Sequence, residues 1–143
     1  MADVHPALLM YLGYRHTENR VMAELAEAGF DDVTLAQARV FQRLAEDGIR
    51  LTDLAEQAQL TKQSTQFLVD QLEQAGYVER RPDPSDARAR LICIAERGRE
   101  AQLQARQVEN AIRREWTRHL GKERMALLTE LLQDLRPLVD PFE

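Results

Sequence analysis

LTDLAEQAQLTKQSTQFLVDQLEQAGYVERRPDPSDARARLICIAERGR, residues 51–99, changes its hydrophobic period part-way along, and that change decides the fold. Up to Gly76 the apolar positions follow helical spacing, and from Tyr77 they alternate as in a strand. Thr52 reads as the N-cap of a very short helix carrying Leu54, Ala55 and Ala58. After Gln59 and Leu60, Thr61 caps a further helix that runs through Leu68, Val69 and Leu72 to Gly76, a natural residue just past a helix end. Two helices so joined make a helix-turn-helix, with Ala55 permitting close approach and Leu60 plugging the corner. Gln59 holds the turn position that is often glycine, so a left-handed backbone there carries modest strain. An ordinary helical hairpin fits these residues too, until the next stretch is read. Tyr77 to Arg81 alternates, Pro82 to Arg90 is a turn-rich polar tip, and Leu91 to Ala95 is a second β-prone run. Together they form a β-hairpin wing.

The wing and the second helix carry groups suited to duplex DNA. Asp86 lies close enough in sequence to brace Arg88 or Arg90, and a braced arginine at a hairpin tip suits the negative potential of a narrow minor groove. On the helix, Leu68, Val69 and Leu72 take the buried side, which leaves Lys62, Gln63, Ser64, Gln66 and Phe67 for the opposite surface. Gln63 and Gln66 suit adenine edges, Ser64 and Thr65 phosphates or thymine methyls, and Lys62 phosphate or guanine. Thr52, Thr61, Arg81, Arg88 and Arg90 complete the expected contact set. A solvated helix surface remains the alternative for any one of them.

Charge supports this placement. The chain carries 19 basic and 24 acidic side chains, a net charge of -5 that by itself disfavours phosphate binding. Residues 60–99 are nevertheless the only non-acidic third, and Arg80, Arg81, Arg88, Arg90, Arg97 and Arg99 crowd into its second half.

Outward from this centre the pattern stays helical. A first helix runs from about Pro6 to Ala28 and ends at Gly29. Thr34 with Gln37 makes a capping box for the next, whose face is Leu35, Ala38, Phe41 and Leu44 and which Gly48 stops. Beyond the wing, Ala101, Ala105, Val108, Ile112 and Trp116 recur at helical steps until Gly121, and a sixth helix extends from Lys122 to about Leu138. Its Leu128, Leu131, Leu132, Leu135 and Leu138, with Leu8, Leu9 and Leu12 of the first helix, exceed what one short domain covers and read as a dimer surface. Packing inside one chain is the alternative for any single leucine. The expected fold is mainly α with a small β-hairpin wing: one domain over residues 1–143, with a winged helix-turn-helix lobe at 34–99 between dimerisation helices at 1–30 and 100–143.

Leu51-Thr52-Asp53-Leu54-Ala55, Thr61-Lys62-Gln63 and the run from Leu68 to Arg80, with the wing Arg81 to Leu91 and Glu96-Arg97-Gly98-Arg99, resemble the MarR family of bacterial regulators. The resemblance implies a dimer, a recognition helix in each major groove, wing arginines in flanking minor grooves, and often a small-molecule pocket near the dimer interface. Phe67 stands where that family commonly has an arginine or a small polar residue, and Ala95 replaces a common threonine.

Other chemistry finds little support. His5, His16 and His119 are scattered, and neither a nucleophile–base pairing, metal-ligand spacing nor a glycine-rich phosphate loop is present, so the sequence reads as a non-enzyme without cofactor or metal. One cysteine and no apolar run of membrane-spanning length suit a reducing cytoplasm. Cys93, with its sulfur turned outward by strand alternation, is a candidate redox sensor or an incidental strand residue. Met10, Tyr11, Tyr14, Arg15 and His16, facing Phe41 and Trp116, suit an aromatic or phenolic carboxylate, although dimer packing explains them more simply. The competing function is a winged-helix protein-interaction module without specific DNA binding, to which the acidic charge and Phe67 point.

Overall fold

The computed structural model describes residues 3–142 and contains six helices and one hairpin among them: α1 (Pro6–Glu27), α2 (Leu35–Phe41), α3 (Leu51–Ala58), α4 (Lys62–Gln74), β1 (Val78–Asp83), β2 (Asp86–Ile94), α5 (Glu96–Leu120) and α6 (Lys122–Val139). Residues 1, 2 and 143, the ends of the expected domain, lie outside the described residues. The chain divides into two compact units: Met22–Ala105, and the residues up to Val21 with those from Arg106 onward. The boundaries fall inside α1 and α5.

The Met22–Ala105 unit is the winged helix-turn-helix. Its core is Leu25, Val40, Leu54, Val69, Leu72, Tyr77, Val78, Ile92 and Ile94. The expected capping box starts α2: Gln37 N–H donates to Thr34 Oγ1 at 3.2 Å, and Thr34 N–H donates to Gln37 Oε1 at 3.1 Å. Gln37 is buried, and its amide nitrogen donates to Gln71 Oε1 at 2.9 Å, so the cap of α2 also fixes the rotation of α4. The helix ends at Phe41, sooner than its apolar pattern through Leu44 suggests, because Arg43 and Leu44 N–H turn back to Val40 and Phe41 in a tighter turn.

Thr52 is not the N-cap of α3. Arg50 holds that position and offers no side-chain cap. The reason is a short strand bridge: Ile49 and Ile92 exchange N–H···O bonds of 3.0 and 2.8 Å, which sets the chain entering α3 one residue beyond the sheet. At the other end Gln59 is left-handed (φ 56°, ψ 42°), so the turn does carry the strain of a non-glycine residue in that conformation. Leu60 N–H closes the turn onto Ala55 O at 3.0 Å, but its side chain is 42% exposed and does not plug the corner. α4 is capped as expected, Thr61 Oγ1 accepting from Ser64 N–H at 3.0 Å.

The wing's strands are longer than the sequence suggests. They pair from Val78↔Ile94 to Asp83↔Asp86, with a bulge at Pro82/Asp83, so the tip is only Pro84-Ser85. Pro82 sits on the edge strand, where its missing N–H costs nothing to the ladder. Cys93 is buried rather than turned outward, because the α2–α3 connection covers that side of β2. A side-chain carbon on Gly48, whose φ is +89°, would fall 2.7 Å from Cys93 Sγ. Gly98 packs as closely, since a Cβ there would meet Tyr77 O at 2.2 Å.

In the other unit, a Cβ on Gly13 of α1 would meet the Trp116 ring of α5 at 3.4 Å, and Arg20 is ion-paired to Glu115. Val108 and Ile112 are buried, whereas α6 has no buried side chain at all. Among the described residues no helix is long and apolar enough to cross a membrane.

Left-handed backbone costs a non-glycine residue roughly 1–2 kcal/mol, part of which glycine's greater unfolded-state entropy returns. Gln59→Gly is therefore expected to raise stability by about 0.5–1 kcal/mol, read as a higher urea midpoint at unchanged slope.

Candidate nucleic-acid interface

Helix α4 is held from three sides, by α2, α3 and β1. Thr65, Val69 and Leu72 form its buried stripe. Thr65 is thus a correction to the expected contact set: its side chain is fully buried and its hydroxyl donates to Thr61 O at 2.8 Å, so it cannot reach a ligand. The spacing 65, 69, 72 is itself helical, and that signal could have found it. Lys62, Gln63, Ser64, Gln66 and Phe67 are all exposed, as expected. Thr61 and Ser64 are exposed as well, their hydroxyls joined at 2.9 Å.

Two open grooves flank the recognition helix. One, of about 370 Å³, lies between the start of α3, α4 and the wing, and brings together the expected Thr52, Lys62, Gln66 and Arg90 with Arg50 and Arg80. The other, of about 650 Å³, lies toward α2 and is lined by Arg39, Val40, Leu60, Gln63, Ser64 and Phe67.

The sequence could not show how the arginines are used. Arg80 donates to Asp70 (2.7 Å) and Glu73 (2.6 Å) and ties the wing to α4. Arg81 pairs with Glu79 in its own strand, and Arg99 meets Glu46 at 3.4 Å. Arg97 donates to Asp32 Oδ2 at 2.8 Å and Ala75 O at 2.7 Å, with its guanidinium 4.5 Å from the centre of the Tyr77 ring. Tyr77 donates its hydroxyl to the same aspartate. Lys62 and Arg90, by contrast, have no side-chain partner among the described residues, and Arg88 is 96% exposed with Asp86 no nearer than 3.9 Å. Asp86 holds Arg88 by its backbone N–H, at 3.0 Å. The six-arginine cluster therefore leaves two wing cations beside one helix lysine.

Asp83 braces the wing more closely than Asp86, which stands 3.9 Å from the Arg88 guanidinium and 4.0 Å from that of Arg50. The Asp83 side chain is 7% exposed, accepts from Ser85 Oγ (2.7 Å) and N–H (2.8 Å), and pairs with the Arg50 guanidinium (2.8 and 2.7 Å). These donors, Ser85 first and then Arg50, hold the Asp83 carboxyl below its ordinary value of 3.8. Asp32 is lowered likewise, by the Tyr77 hydroxyl and then Arg97, and Tyr77 is pushed well up by burial and by that carboxylate.

The remaining expected residues lie elsewhere. Tyr11, Tyr14, Arg15 and His16 are exposed on α1, with Arg15 stacked 5.6 Å from the Tyr11 ring centre. Phe41 belongs to the other unit, its ring close to Gly98. Leu8, Leu9, Leu12, Leu128, Leu131, Leu132 and Leu138 are exposed on α1 and α6, and Leu135 is half-buried. Among the described residues no group of three or more His, Cys, Asp or Glu side chains is placed to hold a metal.

The MarR family model matches residues 31–89, from the loop before α2 through the helix-turn-helix into the wing. Over that stretch the chain is a MarR family winged helix-turn-helix, the DNA-binding region of a family of transcriptional regulators. The fold agrees over nearly the whole chain. A transcriptional regulator of Thermotoga maritima is 25% identical, with 94% of this chain and 93% of that one covered and a TM-score of 0.65. Reduced MarR of E. coli superposes at a TM-score of 0.75, with 22% identity and coverage of 96% and 100%. A mutant MepR of S. aureus, bound to an oligodeoxyribonucleotide, does so at 0.61, with 20% identity and coverage of 93% and 99%. None of the curated proteins matches the sequence. The MarR family is one of transcriptional regulators, not of enzymes.

Both aspartates have folded-state values below their unfolded ones, so their contribution is complete above about pH 4 and is lost as pH falls through the lowered values. Urea midpoints are expected to stay level from pH 7 to about 5 and to fall below about 4. Asp83→Asn should be less stable at neutral pH and lose less on acidification.

Proposed function

We propose that this protein acts in the bacterial cytoplasm as a homodimeric MarR family repressor on pseudo-palindromic duplex DNA. Lys62, Gln63, Ser64 and Gln66 face the major groove, Arg88 and Arg90 enter the flanking minor groove, and Thr52 and Thr61 contact the backbone beside Arg81, whose charge Glu79 balances. The observation that carries this reading is the division of the arginines. Carboxylates occupy those that build the fold, while Arg90 has no partner among the described residues and Arg88 is 96% exposed with only Asp86 at 3.9 Å, on a wing whose outer end is fixed to the start of α3. In a chain of net charge -5, cations left exposed beside a recognition helix serve a polyanion.

A second copy covers the leucines of α1 and α6, and its twofold axis sets two half-sites about one DNA turn apart. Repression is relieved when a small aromatic carboxylate or phenol favours a dimer whose recognition helices no longer match that spacing. Tyr11, Tyr14, Arg15 and His16 supply rings and a cation of the right chemistry for it.

The test is fluorescence anisotropy across a salt series on duplexes selected from a random pool, with stoichiometry by sedimentation. Three cations per protomer, Lys62, Arg88 and Arg90, make six in a dimer. Log affinity should fall against log salt with a slope of roughly -5, and Arg88→Ala with Arg90→Ala should reduce the slope to about -2. A folded dimer that selects no sequence and binds without salt dependence would instead be a protein-interaction module.

A further inference from the structure

The most outward stripe of α4 is set by its buried one. Directly opposite Thr65, Val69 and Leu72 run Gln63, Phe67, Asp70 and Gln74, at i, i+4, i+7 and i+11. Ser64 leans from that line toward the α2 groove and Gln66 toward the wing groove. Asp70 is committed to Arg80, and Gln74 is the last residue of the helix, far from its N-terminal end. That leaves Gln63 and Phe67 as the pair pointing straight out from the end that enters a groove. Phe67 is 62% exposed, even though it borders the groove shared with Leu60 and Val40, so its own fold does not cover it. A phenyl ring has neither donor nor acceptor and cannot read a phosphate or a polar base edge. Of the groups displayed in the major groove, only the thymine C5-methyl matches it.

We propose that Phe67 is a specificity-determining residue that packs on a thymine methyl, beside an adenine read by Gln63. This rests on the DNA-binding reading above. Side chains four apart on a helix are about 5–6 Å apart at their Cβ atoms, which spans one to two base steps, so the two contacts fall in one short A/T-containing segment of each half-site.

The experiment replaces thymine by deoxyuracil, one position at a time in both half-sites, in a duplex selected by the wild-type protein. Only the methyl is removed. The wild type should lose roughly fivefold affinity per half-site at one position. Phe67→Ala should bind that duplex more weakly, with an unchanged salt slope, and be indifferent to the same replacement, while Phe67→Leu should keep part of the penalty. Unchanged thermal melting of both variants excludes a folding effect. The proposal is overturned, with DNA binding intact, if selective salt-steep binding is insensitive to every methyl or if Phe67→Ala retains the full penalty. If the wild type selects no sequence at all, it falls together with the DNA-binding reading, and Phe67 faces a protein instead.

Discussion

Arg50 stands at the start of α3 and reaches across to Asp83, the last residue of β1, and the geometry of the DNA-binding unit follows from that contact. A hairpin of two strands is marginal by itself in water and has no reason to hold a fixed direction. Here its base is fixed by the Ile49–Ile92 bridge, and its outer end by a carboxylate that is almost wholly withdrawn from solvent. Withdrawing a charge is costly unless it is fully partnered, and Asp83 is partnered on both oxygens, by Ser85 within the wing and by Arg50 from α3. Breaking either side leaves a charge unsatisfied. The wing therefore keeps its place relative to the helix-turn-helix, and two grooves can be addressed in one register.

The other buried or half-buried polar contacts serve the same end. Gln37 completes the cap of α2 and then ties α4 through Gln71, so a local feature sets the rotation of the recognition helix. Arg80 joins wing and helix from the other side. Asp32, Tyr77 and Arg97 gather the loop before α2, the turn after α4 and the first turn of α5 at one point. The contacts of Arg80 and Arg97 consume charges that a count of basic residues would assign to DNA. What remains for a partner is smaller and better placed: Lys62 on the helix, Arg88 and Arg90 on the wing.

The sequence carried the element order well because that order rests on local chemistry. Thr34 with Gln37, Thr61, and the change from helical to alternating period at Tyr77 act over a few residues, and all appear where expected. It carried poorly whatever depends on a second element. Thr52 looks like an N-cap until the Ile49 bridge moves the helix start. Cys93 looks exposed until the α2–α3 connection covers it at Gly48, and the polar run after Pro82 looks like a loop until β2 pairs with it. Thr65 was a missed signal of a different kind, since its spacing to Val69 and Leu72 is plainly that of a buried stripe. The pairings of Arg50 and Arg97 were not legible at all, because their carboxylates lie 33 and 65 residues away and become neighbours only in the fold.

The central claim is that Arg50 and Asp83 act as one unit that positions the wing for DNA. A double-mutant cycle tests it, with Arg50→Ala, Asp83→Asn and the double variant compared for affinity to a selected duplex and to a scrambled one. Each single change should cost roughly tenfold in affinity for the selected duplex, and the double variant should be no worse than either, since the second loss removes nothing further. Losses that simply multiply, or single variants that bind the selected duplex as well as the wild type does, would show that the wing is held by something else.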